Sequence, residues 1–312
     1  MKIYEYIIAS IQHPERCEDA SLVFAGGERG EASVFAVIDG MGGHQHVTAS
    51  GETLTGRDAS QTARQVLIED LENLPPDVSA AQSAEAETRL IAALERANDQ
   101  MYSALNGGEG SPLHERVGAV GTVAVLCEGG ARLLFGQVGD TRAYIYSDGE
   151  LFQLLKDEDN VQYMVNQGQM SEEDADRVTQ IVNVWDGQTE PDVPGSVNIG
   201  GQRYDTYLAW RWFVTGNPAL RIPGANVVIN ALGTEPGPVQ VQRSRYMVAQ
   251  GDMLLLCSDG LYKNLSEAEI VRGLAEAADP ATTLGEAAYA RSKDKNNQRC
   301  NPDDITAVVV RF

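Results

Sequence analysis

Apolar residues fall along the chain in short β-type runs, at 33–38, 122–127, 132–138, 143–146, 245–249, 253–257 and 305–312. Each run is bounded by Gly, Asp or Asn, the pattern that predicts strands ended by turns. The opening stretch 1–12 carries Glu5 inside a brief apolar run, which predicts another strand rather than a leader. The runs at 122–127 and 132–138 flank Glu128-Gly129-Gly130, and the next strand ends at Ser147-Asp148-Gly149. Connections this short predict antiparallel neighbours.

Helical spacing occupies different ground. Ala63, Val66, Leu67, Leu71 and Leu74 recur at helical intervals until Pro75-Pro76 stops them. Leu90, Leu94, Ala97, Met101 and Leu105 share one face of a second helix that ends near Asn106-Gly107-Gly108. Capping boxes at Ser171-Glu172-Glu173-Asp174 and Ser266-Glu267-Ala268-Glu269 announce two more. Strands in runs, with helices in separate runs, predict an α+β layered domain rather than alternating βαβ units. Residues 179–225 break this rhythm: they are rich in Gly, Pro and Asn and hold Trp185, Trp210 and Trp212. That stretch reads as an insertion on a single domain spanning 1–312, with its Trp210 and Trp212 suited equally to a partner-binding patch or to covering a sheet edge.

Composition narrows the partners. The 312 residues carry 24 Lys plus Arg against 45 Asp plus Glu, a net charge of −21. Nucleic acid and anionic membrane both reward cationic surfaces, so neither is expected. No segment approaches 18 uninterrupted apolar residues, and a soluble, cytoplasmic protein is the expectation. Cys17, Cys127, Cys257 and Cys300 lie far apart without a CxxC pair, which excludes a clustered thiolate zinc site. Cys257, in an apolar strand, reads as a buried inert thiol.

The chemistry lies where strands end. The run at 34–38 leads into Asp39-Gly40-Met41-Gly42-Gly43-His44, 133–138 into Gly139-Asp140-Thr141-Arg142, and 253–257 into Ser258-Asp259-Gly260, while Asp303-Asp304 precedes the last strand. Each Asp-Gly taken singly is most simply a turn. If the four converge, their mutual repulsion, about 4 kcal/mol per pair at 4 Å and an effective dielectric of 20, calls for a cation. Oxygen donors without a Cys/His cluster suit hard divalent ions, Mg²⁺ or Mn²⁺. The pair His44 and His46 offers imidazoles nearby, but His46 lies in a segment that the acidic pattern does not involve. The covalent-aspartate alternative fails, because the position two before Asp39 is Val37, and no GxxxxGK[ST] loop is present.

In order and wording these motifs resemble the metal-dependent protein phosphatases of the 2C (PPM) family in bacterial form. The matching segments are Val37-Ile38-Asp39-Gly40-Met41-Gly42-Gly43-His44, Gly121-Thr122-Val123, Val138 through Tyr144, Asn230-Ala231-Leu232-Gly233, Gly251 through Leu261, and Asp303-Asp304-Ile305-Thr306. The resemblance implies a four-layer αββα sandwich, two antiparallel sheets flanked by helices, with an enlarged flap at about 179–225. It implies two Mn²⁺ or Mg²⁺ ions, Asp39 bridging them and Gly40 offering its carbonyl. Asp259 and Asp303 would hold the ion that Gly40 does not, Glu18 and Asp19 would ligate or orient metal waters, and Asp140 would serve a weaker third site. The implied reaction is hydrolysis of phosphoserine or phosphothreonine by a metal-bridging hydroxide, on phosphoproteins such as a Ser/Thr kinase or its targets.

The chain departs from the family pattern at several positions. Pro14 stands where the phosphate-binding Arg is expected, leaving Arg16 as the candidate catalytic and substrate-binding cation. Cys17 replaces an Asn, Glu158 replaces a His, and Lys263 replaces an Asp. Lys263 predicts poor third-metal binding, and its charge suits either substrate binding or a solvated surface. These changes motivate the alternative of a catalytically weak regulatory or partner-binding module on the same fold.

Overall fold

The computed structural model describes residues 1–25, 32–41, 45–48, 50–74, 80–108, 111–127, 131–189, 195–205, 208 and 227–312. In chain order they form β1 (Lys2–Ile8), β2 (Ala20–Phe24), β3 (Ser33–Gly40), the two-residue strands β4 (His46–Val47) and β5 (Thr53–Leu54), α1 (Gly56–Leu71) and α2 (Ala80–Gln100). There follow β6 (Ala119–Cys127), β7 (Arg132–Val138), β8 (Arg142–Ser147), β9 (Glu150–Gln153), α3 (Asn160–Asn166), α4 (Glu172–Val184), β10 (Ser196–Ile199) and β11 (Gln202–Asp205). The chain closes with β12 (Gln242–Met247), β13 (Met253–Cys257), α5 (Asp259–Tyr262), α6 (Glu267–Glu276), α7 (Pro280–Arg291) and β14 (Ile305–Arg311).

Two five-stranded antiparallel sheets result, one ordered β1-β14-β13-β8-β9 and the other β12-β7-β6-β3-β2. Their facing sides meet in one apolar layer: Phe35 and Val37 of β3, Ala124 of β6 and Phe135 of β7 against Ile145 of β8, Leu254 and Leu256 of β13, and Val308 and Val310 of β14. The intervening residues point outward onto helices. Val34, Ala36 and Ile38 pack on Ala63, Val66 and Leu67 of α1 and on Leu90 and Leu94 of α2. Leu255, Ala307 and Val309 pack on Ile270 and Leu274 of α6 and Leu284 of α7. Each central strand therefore buries both faces, which is why it reads as an unbroken apolar run. The expected four-layer α+β sandwich is present.

Capping sets the helix starts. The Ser266–Glu269 box at α6 is complete, and the Ser171 hydroxyl accepts from Asp174 N at 3.0 Å. A third box, Thr55 with Asp58, opens α1. Residue 179, where the Gly- and Pro-rich stretch begins, lies inside α4, and α3, α4, β10 and β11 share a small core of Val161, Met164, Val178, Val197 and Tyr204. The Glu128-Gly129-Gly130 turn, Pro75-Pro76, Trp210 and Trp212 lie outside the described residues.

Buried Arg299 ties this region to α5 and the loop that follows it. Its Nη1 donates to the carbonyls of Val182 and Trp185 at the end of α4, and its Nη2 to those of Tyr262 and Leu265. Partial negative charge at helix ends compensates the cation, although burial still lowers its pKa to about 10. Arg299→Met strands four carbonyls together, each worth about 1 to 3 kcal/mol when unsatisfied. We expect urea unfolding to show a loss of at least about 3 kcal/mol; a loss below about 1 kcal/mol would show that water replaces the guanidinium.

Candidate functional site

β3, the β7–β8 turn, the start of α5 and the approach to β14 all end at one rim of the sandwich, where a cavity of about 710 Å³ opens. Asp39, Asp140, Asp259, Asp303 and Glu18 line it, with Arg16, His13, Gln12, Ser10 and Asp304 on the same wall. Met41, Val120, Val227 and Val228 supply apolar lining. Four acidic residues from widely separated strand ends are thus brought together. Asp19, Gly40 and Lys263 are not part of this lining, but each touches or electrostatically faces a residue that is.

Charge crowding is the main property of the rim. Asp39 has its pKa raised well above the ordinary carboxylate range by burial first, and then by Asp19, Asp259, Asp303 and Asp140. Burial followed by the Asp304 charge pushes Asp19 to about 8, and burial with Asp259 and Asp19 does the same to Asp303. Asp140 rises to about 6 through burial, against the lowering effect of Lys263. Three carboxylate oxygens, Glu18 Oε1, Asp19 Oδ1 and Asp259 Oδ1, are buried without a hydrogen-bond partner among the described residues. Orphaned buried acceptors beside mutually repelling acids form a donor set that suits a cation.

The surrounding framework fixes these acids. Thr306 Oγ1 donates to Asp19 Oδ2 at 2.7 Å. The Asp304 carboxylate accepts from the backbone amides of Ser10 and Glu18, clasping the N-terminal loop to the last strand. Tyr262 donates its hydroxyl to the Asp140 carbonyl at 2.9 Å, and its ring lies 3.7 Å beneath the Arg142 guanidinium. Arg142 in turn grips Asp157 through Nε at 3.0 Å and Nη2 at 2.6 Å. Glu158 accepts from Gly139 N and Asn230 Nδ2, each at 2.8 Å, so it pins the turn that carries Asp140.

Gly40 has a steric reason of its own. A Cβ there would stand 2.2 Å from the Gly56 carbonyl oxygen and 2.5 Å from that of Glu18, both backbone atoms that cannot rotate away. Gly40→Ala must separate β3, the Glu18 loop and the start of α1, at a cost of about 2 to 4 kcal/mol. We expect a lower thermal midpoint together with weakened Mn²⁺ binding; a wild-type melt would contradict the close packing.

The cations divide into two kinds. Arg16 Nε lies 3.4 Å from Glu18 Oε1 without hydrogen-bonding it, leaving the guanidinium on the cavity wall. Lys263 Nζ is in direct contact with Asp259 Oδ2 and 3.7 Å from Asp140 Oδ2. Among the described residues no three acidic, imidazole or thiol groups stand ready-made around one point. An all-oxygen donor set with orphaned lone pairs nonetheless fits hard divalent ions, which take 6 to 8 or octahedral oxygen ligands.

The other candidates resolve differently. His46 Nδ1 lies 3.4 Å from the Ser111 hydroxyl and is absent from the cavity wall, while His44 lies outside the described residues. Cys257 is fully buried and its thiol is pushed up by burial, so it is no nucleophile. Sequence reasoning missed Ser10, His13 and the clasping role of Asp304. The Ser10–Asp304 bond joins positions 294 residues apart, and no local pattern announces such a contact.

Comparison with known proteins points one way. The sequence profile of the family described as protein phosphatase 2C matches residues 9–294. The chain is 26% identical over 311 residues to the serine/threonine protein phosphatase PstP of Mycobacterium tuberculosis, covering 99% of this chain and 45% of that protein. It is 24% identical over 290 residues to the serine/threonine phosphatase stp of Listeria welshimeri, covering 89% of this chain and 83% of that one. The chain therefore spans about half the length of the mycobacterial relatives it matches. Among solved structures, Staphylococcus aureus Stp1 superposes with a TM-score of 0.67 at 20% identity, covering 100% of this chain and 95% of that one. The catalytic domain of PstP in complex with two manganese ions gives 0.60 at 24% identity, covering 99% and 96%.

Proposed function

The chain belongs to the protein phosphatase 2C family, and from that premise we propose that it hydrolyses phosphoserine and phosphothreonine in proteins with the help of two divalent cations, Mn²⁺ or Mg²⁺. The observation that carries this reading is the convergence of Asp39, Asp140, Asp259, Asp303 and Glu18 on one cavity that also presents Arg16. Asp39, faced by four other carboxylates, would be the residue shared by the cations, and the Gly40 carbonyl would be a further oxygen donor beside it. Asp259 and Asp303 would hold one of the cations, and Glu18 and Asp19 would ligate or orient metal waters. Asp140 faces Lys263 and serves the weakest position. When bound, such cations polarise phosphoryl oxygens and acidify water at neutral pH.

The residues of the chain do the positioning. Arg16 presents N–H donors at the cavity, and a guanidinium matches two phosphoryl oxygens at once. Its long Glu18 contact leaves these donors available. Lys263 adds positive charge from behind Asp259 and Asp140, outside the cavity lining. Asp304 holds the loop carrying Arg16 and Glu18 at a fixed distance from Asp303, and Tyr262 with Glu158 holds the Asp140 turn. Val227 and Val228 add apolar surface to the cavity wall. Because net charge is −21, attraction of a phosphorylated protein rests on these local cations and not on the global field.

The partners proposed are phosphorylated proteins, a Ser/Thr kinase or its targets in particular. Among the described residues no helix is long and apolar enough to cross a membrane. Cys17, Cys257 and Cys300 carry free thiols, which supports a cytoplasmic setting. The alternative of a feeble regulatory module rests on the departures at Pro14, Glu158 and Lys263 alone; the acidic positions proposed for two cations, Asp39, Asp259 and Asp303, are all filled. Release of phosphate from a phosphothreonine peptide, assayed with Mn²⁺ and then with excess chelator, tests the proposal. Turnover that survives the chelator, or none with Mn²⁺ bound, defeats it.

A further inference from the structure

Lys263 is a cation set directly against the acids of the rim. It lies four residues after Asp259, and the helical backbone bond from Lys263 N to Asp259 O at 2.9 Å turns its side chain back over the Asp259 carboxylate. The ammonium touches Asp259 Oδ2 and lies 3.7 Å from Asp140 Oδ2. Its side chain is 15% exposed, against 12% for Asp259 and 6% for Asp140, so water screens the trio little. The other Asp259 oxygen, Oδ1, is buried without a hydrogen-bond partner among the described residues. Asp259 is therefore shared: one oxygen is taken by a tethered cation and one is left open.

We propose that Lys263 is a built-in competitor that holds Asp259 and Asp140 until a divalent ion displaces it from Asp259, so that it sets the metal affinity of the site. This rests on the two-cation reading of the cavity. Two consequences follow from charge alone. In the metal-free protein, the ammonium neutralises a corner that would otherwise hold two uncompensated carboxylates. On metal entry, a unit positive charge a few ångströms away opposes the incoming ion, and either the lysine swings off Asp259 or the ion binds with fewer ligands. Both weaken binding relative to a neutral side chain at this position. The Arg299 bonds to the Tyr262 and Leu265 carbonyls fix the backbone on either side of Lys263, so the adjustment is confined to its side chain.

The test is calorimetric titration of the metal-free chain with Mn²⁺ alone, comparing wild type with Lys263→Met, Lys263→Gln and Lys263→Arg. Removing the charge should tighten Mn²⁺ binding by about 10-fold or more, the scale of a nearby unit charge at a partly screened site. Lys263→Arg, which keeps the charge, should bind as wild type does. The Mn²⁺-induced rise in melting temperature should follow the same order. If Met does not fold at this buried position, Gln retains a donor toward Asp259 and carries the comparison. Equal affinity in wild type and the neutral variants overturns the proposal, and so does weaker binding, which would make Lys263 an organiser of the ligands. Peptide hydrolysis by the wild type is measured separately: its absence would sink the phosphatase reading while leaving the titration comparison to judge Lys263.

Discussion

Asp39→Asn is expected to lower Mn²⁺-dependent hydrolysis of a phosphothreonine peptide by at least about 10³-fold, equivalent to about 4 kcal/mol of transition-state stabilisation. Asn keeps the shape of Asp and one oxygen, so the packing at the end of β3 survives while the negative charge is lost. That charge is the most opposed at the rim, since Asp19, Asp259, Asp303 and Asp140 all raise its pKa. A residue held against four like charges is retained for a cation, not for stability. The metal-free variant should accordingly melt at or above the wild-type temperature, whereas its Mn²⁺-dependent stabilisation should fall. Asp259→Asn should lose activity similarly but also free Lys263 from its partner. Retention of more than a tenth of wild-type turnover in Asp39→Asn would remove Asp39 from the centre of the site.

The strands that carry this site were legible because the four-layer arrangement buries both of their faces. Phe35 and Val37 look toward the opposing sheet and Val34, Ala36 and Ile38 toward α1, so the whole run had to be apolar. The acids at their ends were legible for the complementary reason: an ionisable residue directly after a fully buried strand needs a purpose. What escaped was the periphery. β2 is five residues with Ser21 inside it, too short and mixed for a pattern. β10 and β11 are mostly polar and owe their apolar members, Val197, Ile199 and Tyr204, to a local core that only the folded α3 and α4 create. Their Gly200-Gly201 connection is a hairpin signal that the surrounding Gly-rich stretch concealed.

Within the site, the same division holds. Asp39, Asp140, Asp259 and Asp303 could be named from sequence because each follows or precedes a recognisable strand. The roles of Asp304 and Arg299 could not, because their partners are backbone groups of distant loops. A backbone amide or carbonyl has no sequence identity, so no residue pattern records the contact. Lys263 lay between these cases. Its departure from the family pattern was visible, but the contact of its ammonium with Asp259, outside the cavity lining, depends on the fold.

Without metal, the same crowding should make the protein less stable as pH rises from 5 to 8, the reverse of ordinary acid denaturation. Asp19 and Asp303 hold their protons to about pH 8 in the folded chain, against 3.8 for an ordinary aspartate, and Asp140 holds its proton to about 6. A raised folded-state pKa means that the folded form binds protons more tightly than the unfolded one. The stability this contributes is fully present below about pH 4 and is lost as pH climbs through the folded values. Each unit of pH between the two values costs about 1.4 kcal/mol per such group. Asp19 and Asp303 together account for a loss of order 8 kcal/mol between pH 5 and 8. For a chain of 312 residues that is a fall of about 10 °C in melting temperature in chelator-treated protein. Lys263 does not offset it, because its neighbours Asp259 and Asp140 keep it charged throughout this interval. Mn²⁺ must reverse the trend: ligation requires ionised carboxylates, so affinity and the stabilisation it confers grow with pH. Melts at pH 5, 6.5 and 8, with chelator and with saturating Mn²⁺, should therefore diverge progressively. If the metal-free curve is level across that range, the acids are not packed against one another, and the cation site built from them does not exist.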